Sequence, residues 1–433
     1  MTTVTQPADR ILGALGRPIV PLVATVIAFA IGFGQKLPCY AVSWREQPTR
    51  FNQYCYSDIP VLFRQRGIVT GIFPYASNAW KHPLEYPVVI GFLMDATGRM
   101  TRLIGRGGDL AAATRMYFVI NTVLLLGCAL VMVWVTWVLL QQAGTPAAAL
   151  LVALAPSLAL AGTINWDLAA TALSLLALLA WTRDRPAIAG VLIGLGTAAK
   201  LYPVLLLAAL FGLCLRQRRM RAFLRASWTA TLAWAVVNLP IALLYPDGWL
   251  EFWKFNAERH ADYGSIWHGL ASMGYRVAGL NMLTTGLLVL LWVGVVALAL
   301  WAPRPPTAAQ LTFLTVAAFL VTNKVYSPQY VLWLLPLVVL ARASLPPRQV
   351  LPAWLVWQAA EMTYWVAIWR FFIHHPQSEG WQYPAAIFVR VAVTVWLAVL
   401  VIRDCLRQEP AGRPAEPLGV DQPPWTPIVV TEV

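Results

Sequence analysis

Thirteen apolar segments follow one another along this 433-residue chain: 19–34, 86–106, 115–141, 146–163, 166–182, 187–199, 201–216, 222–245, 281–301, 307–322, 329–342, 351–373 and 384–403. That succession constrains the fold more than any other feature. The runs are continuous rather than alternating with a period of two, so they read as helices and not as strands of a barrel. Charged residues make up 12% of the chain, against about 25% in a soluble domain. The expected class is therefore an all-α, polytopic membrane protein. Several segments fall short of the ~20 residues needed for a perpendicular crossing, so some are half-helices or re-entrant.

The charge balance is +13, from 32 Lys and Arg against 19 Asp and Glu. In a soluble protein such an excess points to nucleic acid. Here the basic residues sit in short connections, and the positive-inside tendency accounts for them, so no nucleic-acid partner is expected. Arg216-Gln217-Arg218-Arg219-Met220-Arg221 is the strongest inside signal, and Arg183 with Arg185, Arg342 with Arg348, and Arg403 with Arg407 agree with it. Alternation outward from these places 246–280, 323–328 and 374–383 outside. Between 86 and 166 the alternation fails by one crossing, because Arg99, Arg102 and Arg106 also look cytoplasmic. Treating 146–163 as incomplete repairs it. The expectation is then about twelve spans plus a re-entrant segment, a membrane domain over 1–406, and both termini inside. Two outer loops, 36–85 and 246–280, carry most of the polar residues that are not basic. The tail 407–433 is rich in Pro, Glu and Gly and reads as disordered. The first apolar run lacks a small-residue cleavage site and reads as a retained anchor. Cys39 and Cys55 share the first loop and can pair if it faces an oxidising compartment.

Function is sought in the long outer loops. Asp58 is an acid among Phe51, Tyr54, Tyr56, Ile59 and Val61, just before basic Arg64 and Arg66. A carboxylate so placed is partly shielded from water and can serve as a base; a helix-capping or surface aspartate is the plainer reading. Lys81-His82-Pro83-Leu84-Glu85-Tyr86-Pro87 leads into the second apolar segment. There Lys81 and His82 suit a phosphate, and Glu85 and Tyr86 suit a sugar or a basic partner, although Tyr and Pro are also ordinary interface residues. Two lysines lie at breaks between apolar runs on the same outer side: Lys200 in Ala199-Lys200-Leu201-Tyr202-Pro203, and Lys324 in Asn323-Lys324-Val325-Tyr326-Ser327-Pro328-Gln329. A lysine in hydrocarbon is costly unless it snorkels or is paired, and an ammonium suits a phosphate. Asn165-Trp166-Asp167 is a third polar junction, with Asp167 equally suited to start a helix. Glu251, Arg259 and His260 stand among aromatics in the second loop, as at a carbohydrate face or an interface helix. His374-His375 has no further ligand at metal spacing, and there is no glycine-rich phosphate loop and no paired acids of the Asp-x-Asp type, so no metal and no cofactor are expected.

On these residues the chain resembles the polytopic lipid-sugar-dependent glycosyltransferases, and more narrowly glycosyltransferase family 87, the actinobacterial membrane mannosyl- and arabinofuranosyltransferases. The resemblance lies in an acid in the first outer loop, a Tyr-Pro start to the second span, the Ala-Ala-Lys-Leu-Tyr-Pro junction and the Ser-Pro-Gln-Tyr junction before Trp333-Leu334-Leu335-Pro336. It implies a C-type glycosyltransferase fold and an inverting transfer from a polyprenyl-phosphate sugar, with Asp58 as base. Lys200, Tyr202, Lys324, Arg64, Lys81 and His82 would then hold the donor phosphate. Glu85, Tyr86, Asn165, Asp167, Asn323, Tyr326, Gln329, Glu251, Arg259 and His260 would line the sugar and acceptor. The implied partners are the donor, a lipid-anchored glycan acceptor such as a phosphatidylinositol mannoside or lipomannan, and membrane lipids, with the active site on the outer face of the plasma membrane. Arabinose transfer and lipid-linked glycan transport are the alternatives; the paired repeats usual in transporters are not visible.

Overall fold

A computed structural model describes residues 14–76, 84–105, 109–374 and 380–407. Helix is the main element of the described residues, and none of them forms a strand. From Ile19 the order is α1 (Ile19–Ala41), α2 (Gln47–Asn52), α3 (Asp58–Gln65), α4 (Val88–Ile104), α5 (Leu110–Gln142), α6 (Ala149–Ala153), α7 (Pro156–Ala161), α8 (Asp167–Thr182) and α9 (Pro186–Ala199). Then come α10 (Leu205–Gln217), α11 (Met220–Leu244), α12 (Pro246–Glu258), α13 (Ile266–Ser272), α14 (Leu280–Trp301), α15 (Ala308–Thr322), α16 (Val331–Leu340), α17 (Pro347–His374) and α18 (Gln382–Leu406). Five of these, α1, α5, α11, α14 and α18, are long and apolar enough to cross a membrane.

Within the described residues each of the thirteen apolar segments is largely helical, and the one expected to be incomplete is broken. Residues 146–163 form a 3-10 turn and the short helices α6 and α7, with Pro156 opening the second. The lysine junctions fall at real breaks: α9 ends at Ala199, Lys200 is extended, and a 3-10 turn over Tyr202–Val204 leads into α10. Lys324 likewise lies between α15 and the turn Pro328–Tyr330. The first outer loop begins later than its expected start at 36. No helix breaker follows Gly34 strongly enough to stop α1, and it continues through Pro38 to Ala41. The second loop is ordered by α12 and α13. Most of the tail, from 408 onward, lies outside the described residues.

Close packing sets the position of the Lys200 junction. α9 lies against α11, and a Cβ at Gly190 or Gly194 would stand 2.1 Å from the Ala226 carbonyl oxygen and 2.2 Å from that of Ala230. Small residues four apart let helix backbones approach this closely, which matters where apolar burial between helices offers little driving force. The helix that ends at Lys200 is thus held to its neighbour by backbone contact.

A second anchor lies deeper. Arg390 of α18 is fully buried, and its Nε donates to Glu361 Oε2 of α17 at 2.8 Å. Its Nη1 donates to the Tyr326 carbonyl at 2.6 Å, and the guanidinium lies 3.6 Å from the centre of the Tyr326 ring and 4.3 Å from that of Tyr364. A buried cation needs such a complete set of partners. It fixes the extended stretch between α15 and α16 from behind.

Candidate active site

The strap that carries Asp58 is tied at both ends. On one side, Gln35 Nε2 donates to the carbonyls of Gln53 and Tyr54, the fully buried Lys36 donates to the Tyr56 carbonyl at 2.9 Å, and Cys39 is disulfide-bonded to Cys55. All three come from α1. On the other side, Ser57 Oγ donates to the Thr163 carbonyl at 2.7 Å and the Asp58 backbone N–H to the Ile164 carbonyl at 2.8 Å. Ser57 also caps α3, accepting from the Ile59 N–H. Asp58 is thereby the first residue of a helix whose entry angle is set from two directions.

Its carboxylate is held by two donors. The Tyr56 hydroxyl donates to Oδ1 at 2.6 Å and Asn165 Nδ2 to Oδ2 at 2.9 Å. Asn165 Nδ2 also reaches the Tyr86 hydroxyl oxygen at 2.6 Å. Burial pushes the Asp58 carboxyl above the usual carboxylate range; the hydrogen bonds from Tyr56 and Asn165 and the Lys200 charge oppose this. Burial pushes the Tyr56 phenol up, and the neighbouring Asp58 carboxylate adds to it, so Tyr56 remains a donor. The result is an oriented acid facing a cavity of about 780 Å³.

Lys200 lines the same cavity. Its ammonium lies 3.5 Å from Asp167 Oδ1 and faces the rings of Tyr86 and Tyr330 at 5.4 and 5.7 Å. Asp167 is fully buried and accepts from Trp333 Nε1 at 2.8 Å, so it is the counter-ion of Lys200 and is not on the cavity wall. Tyr202 lines the cavity, stacked on Trp333 at 4.2 Å, while its hydroxyl turns to Ser174 and Thr171 of α8. Asn323, Lys324, Gln329 and Arg259 also line the cavity. The Lys324 ammonium is tied to the Asn256 carbonyl at 2.7 Å and to Asn281 Oδ1 at 2.5 Å, and burial together with Arg259 lowers its pKa.

Other expected site residues lie elsewhere. Arg64 points away from the cavity and donates to the Ser43 and Trp44 carbonyls, because the last turn of α3 packs on that loop. Arg66, two residues on, does reach the wall and forms a two-pronged pair with Glu85, both contacts at 2.6 Å. Tyr326 is absent from the wall: the stretch is extended there, and its ring is drawn back to Arg390. Glu251 is off the wall, and His260 lines a neighbouring cavity. Lys81 and His82 lie outside the described residues. The pairing of Arg390 with Glu361 was not foreseen, although an isolated acid and an isolated arginine within two apolar segments are the signal for such a pair. Among the described residues no group of three or more His, Cys, Asp or Glu side chains is placed to hold a metal ion.

Fold and site together define an all-helical membrane protein with a hydrogen-bonded carboxylate and a largely buried, ion-paired lysine lining one cavity. The chain belongs to glycosyltransferase family 87, whose family model matches residues 103–323, just over half of the chain. It is accordingly a glycosyltransferase. The matched stretch includes Asn165, Lys200, Arg259 and Asn323; Asp58 precedes it. No curated protein matches the chain.

Proposed function

We propose that the protein transfers mannose from a polyprenyl-phosphate donor to a lipid-anchored glycan on the outer face of the plasma membrane, through a C-type arrangement of about twelve crossings. The observation that carries the reading is the Asp58 carboxylate, oriented by Tyr56 and Asn165 and sharing one cavity with Lys200. Asp58 accepts the proton of the acceptor hydroxyl as that oxygen attacks the anomeric carbon. The bond to the lipid phosphate breaks, and the departing phosphate sits by Lys200, with Arg259 on the same wall. A single displacement inverts the anomeric centre, so a β-linked donor gives an α-linked product. Positive groups placed where the leaving group gathers charge take the role that a metal has with nucleotide donors, and no metal is needed. Lys324, fastened to α12 and α14, holds the wall and leaves the anion to Lys200 and Arg259. The Cys39–Cys55 disulfide supports an outer location for this loop, since such bonds persist in oxidising compartments.

The test is transfer by the purified full chain with polyprenyl-phosphate mannose and, separately, polyprenyl-phosphate arabinose. Mannose transfer is expected, and Asp58→Asn should lower turnover by ~10²–10⁴ while donor binding persists. Transfer from the arabinose donor alone would reassign the sugar. Wild-type turnover in Asp58→Asn would remove the base from the mechanism.

A further inference from the structure

Beside the transfer cavity lies a second one, of about 700 Å³, bounded by the end of α12, by α13 and by the start of α14. The two cavities share Ala257, Arg259 and Asn281 as a common wall. Basic side chains gather in the second. Arg276 and His260 line it, and neither has a hydrogen-bond or ion-pair partner among the described residues. Arg259 commits its Nε and Nη2 to Asp262, leaving Nη1. Among the described residues, Glu258 is the single acid on this wall. The wall also includes Gly279 and Leu280, where α14 begins without a side-chain cap, and an uncapped helix start adds positive potential to what the arginines supply.

The rim tells what kind of molecule can reach these cations. Met273, Tyr275 and Met282 are chain neighbours of the lining residues Ser272, Arg276 and Asn281, and they are 54%, 66% and 82% exposed. Met282 belongs to the first turn of α14, one of the helices apolar and long enough to cross a membrane. Large apolar side chains left uncovered at the end of such a helix belong in lipid, so the cavity opens at the level of the head groups. We infer that this second cavity binds the phosphate of a membrane lipid, next to but separate from the site of transfer. An arginine beside a histidine suits a phosphate monoester or diester. Two lipids carry that group here, the isoprenoid phosphate and an anionic glycerolipid. Placing the cavity next to the reaction rests on the function proposed above; the binding itself does not.

The experiment measures lipid binding and not turnover, so a wrong reading of the transfer site leaves it interpretable. Purified full-length protein carrying Lys200→Met together with Asp167→Asn, its transfer cavity weakened for anions and its buried acid neutralised, is titrated with polyprenyl monophosphate, with phosphatidylinositol and with phosphatidylcholine, and bound lipid is counted by native mass spectrometry. The same titrations are run with Arg276→Gln added, and with Arg276→Gln and His260→Gln together. Loss of a charge-assisted contact should weaken binding at least about tenfold. Weakening confined to polyprenyl monophosphate assigns the cavity to the isoprenoid lipid; weakening confined to phosphatidylinositol assigns it to a glycerolipid. Arg276 is exposed, so the variants should melt like their parent. Unchanged binding of both phosphate-bearing lipids, or equal weakening of phosphatidylcholine, overturns the inference.

Discussion

Replacing Asn165 with Leu tests the orientation of the carboxylate without removing it. The Asn165 amide gives Asp58 Oδ2 one of its two side-chain donors, at 2.9 Å, and touches the Tyr86 hydroxyl at 2.6 Å. A hydrogen bond to a charged group contributes about 1.5–3 kcal/mol. Its loss falls on the ionised form of Asp58, because the neutral acid can keep its proton without that donor. Burial already holds this carboxyl above its usual range, so losing the donor raises it further. A base works only when deprotonated. The acid limb of the pH profile of kcat/KM should therefore move to higher pH, and below that limb the variant should fall behind by about 10–150-fold, the factor equivalent to the lost bond. Well above the limb the deficit should shrink, since both forms are ionised there. Tyr56→Phe, which removes the donor to Oδ1, should shift the limb in the same direction. The assay is initial-rate transfer over a range of pH at saturating acceptor. A uniform loss at every pH, with the limb unmoved, would refute the assignment of Asp58 as the titrating base.

Lys200→Met should raise the KM for donor, and it should also destabilise the fold by about 3–5 kcal/mol, because it strands the buried Asp167 without its counter-ion. Adding Asp167→Asn should restore the melting temperature but not the KM, a split that separates the two roles. Arg390→Met should likewise destabilise by about 3–5 kcal/mol through the unpaired Glu361, seen in thermal melting, with Glu361→Gln partly compensating. Turnover should survive EDTA; loss of activity with recovery on Mg²⁺, Mn²⁺ or Ca²⁺ would overturn the metal-free mechanism.

The helices were legible because each apolar run has the length and continuity of a helix, and the break within 146–163 could be read from charge alternation alone. The junctions were legible too: Asp58, Asn165, Lys200 and Asn323, scattered over 266 positions, meet on one cavity. What the sequence could not supply is which way neighbouring side chains turn. Arg64 and Arg66 look equivalent, yet two residues on a helix put them on opposing sides, one on a loop carbonyl and the other on Glu85. Lys324 and Tyr326 share one extended stretch, but their surroundings were hidden: the carbonyls that capture the lysine belong to α12, and the guanidinium that captures the tyrosine belongs to α18. Such partners come from elements 64 to 68 residues away, and no local pattern announces them.

The strap bearing Asp58 has a bearing on biogenesis. The disulfide closes over a separation of only 16 residues and needs nothing downstream of the first loop. The carboxylate's amide donor, however, arrives 107 residues after it in the chain. While the polypeptide is still emerging, the acid has Tyr56 beside it but lacks its amide donor and the carbonyls that hold the start of α3. With Asp58 as the proposed base, competence for transfer would come only when the 163–165 corner docks against the strap, and a truncated or half-inserted chain would reach the membrane with its carboxylate incompletely held.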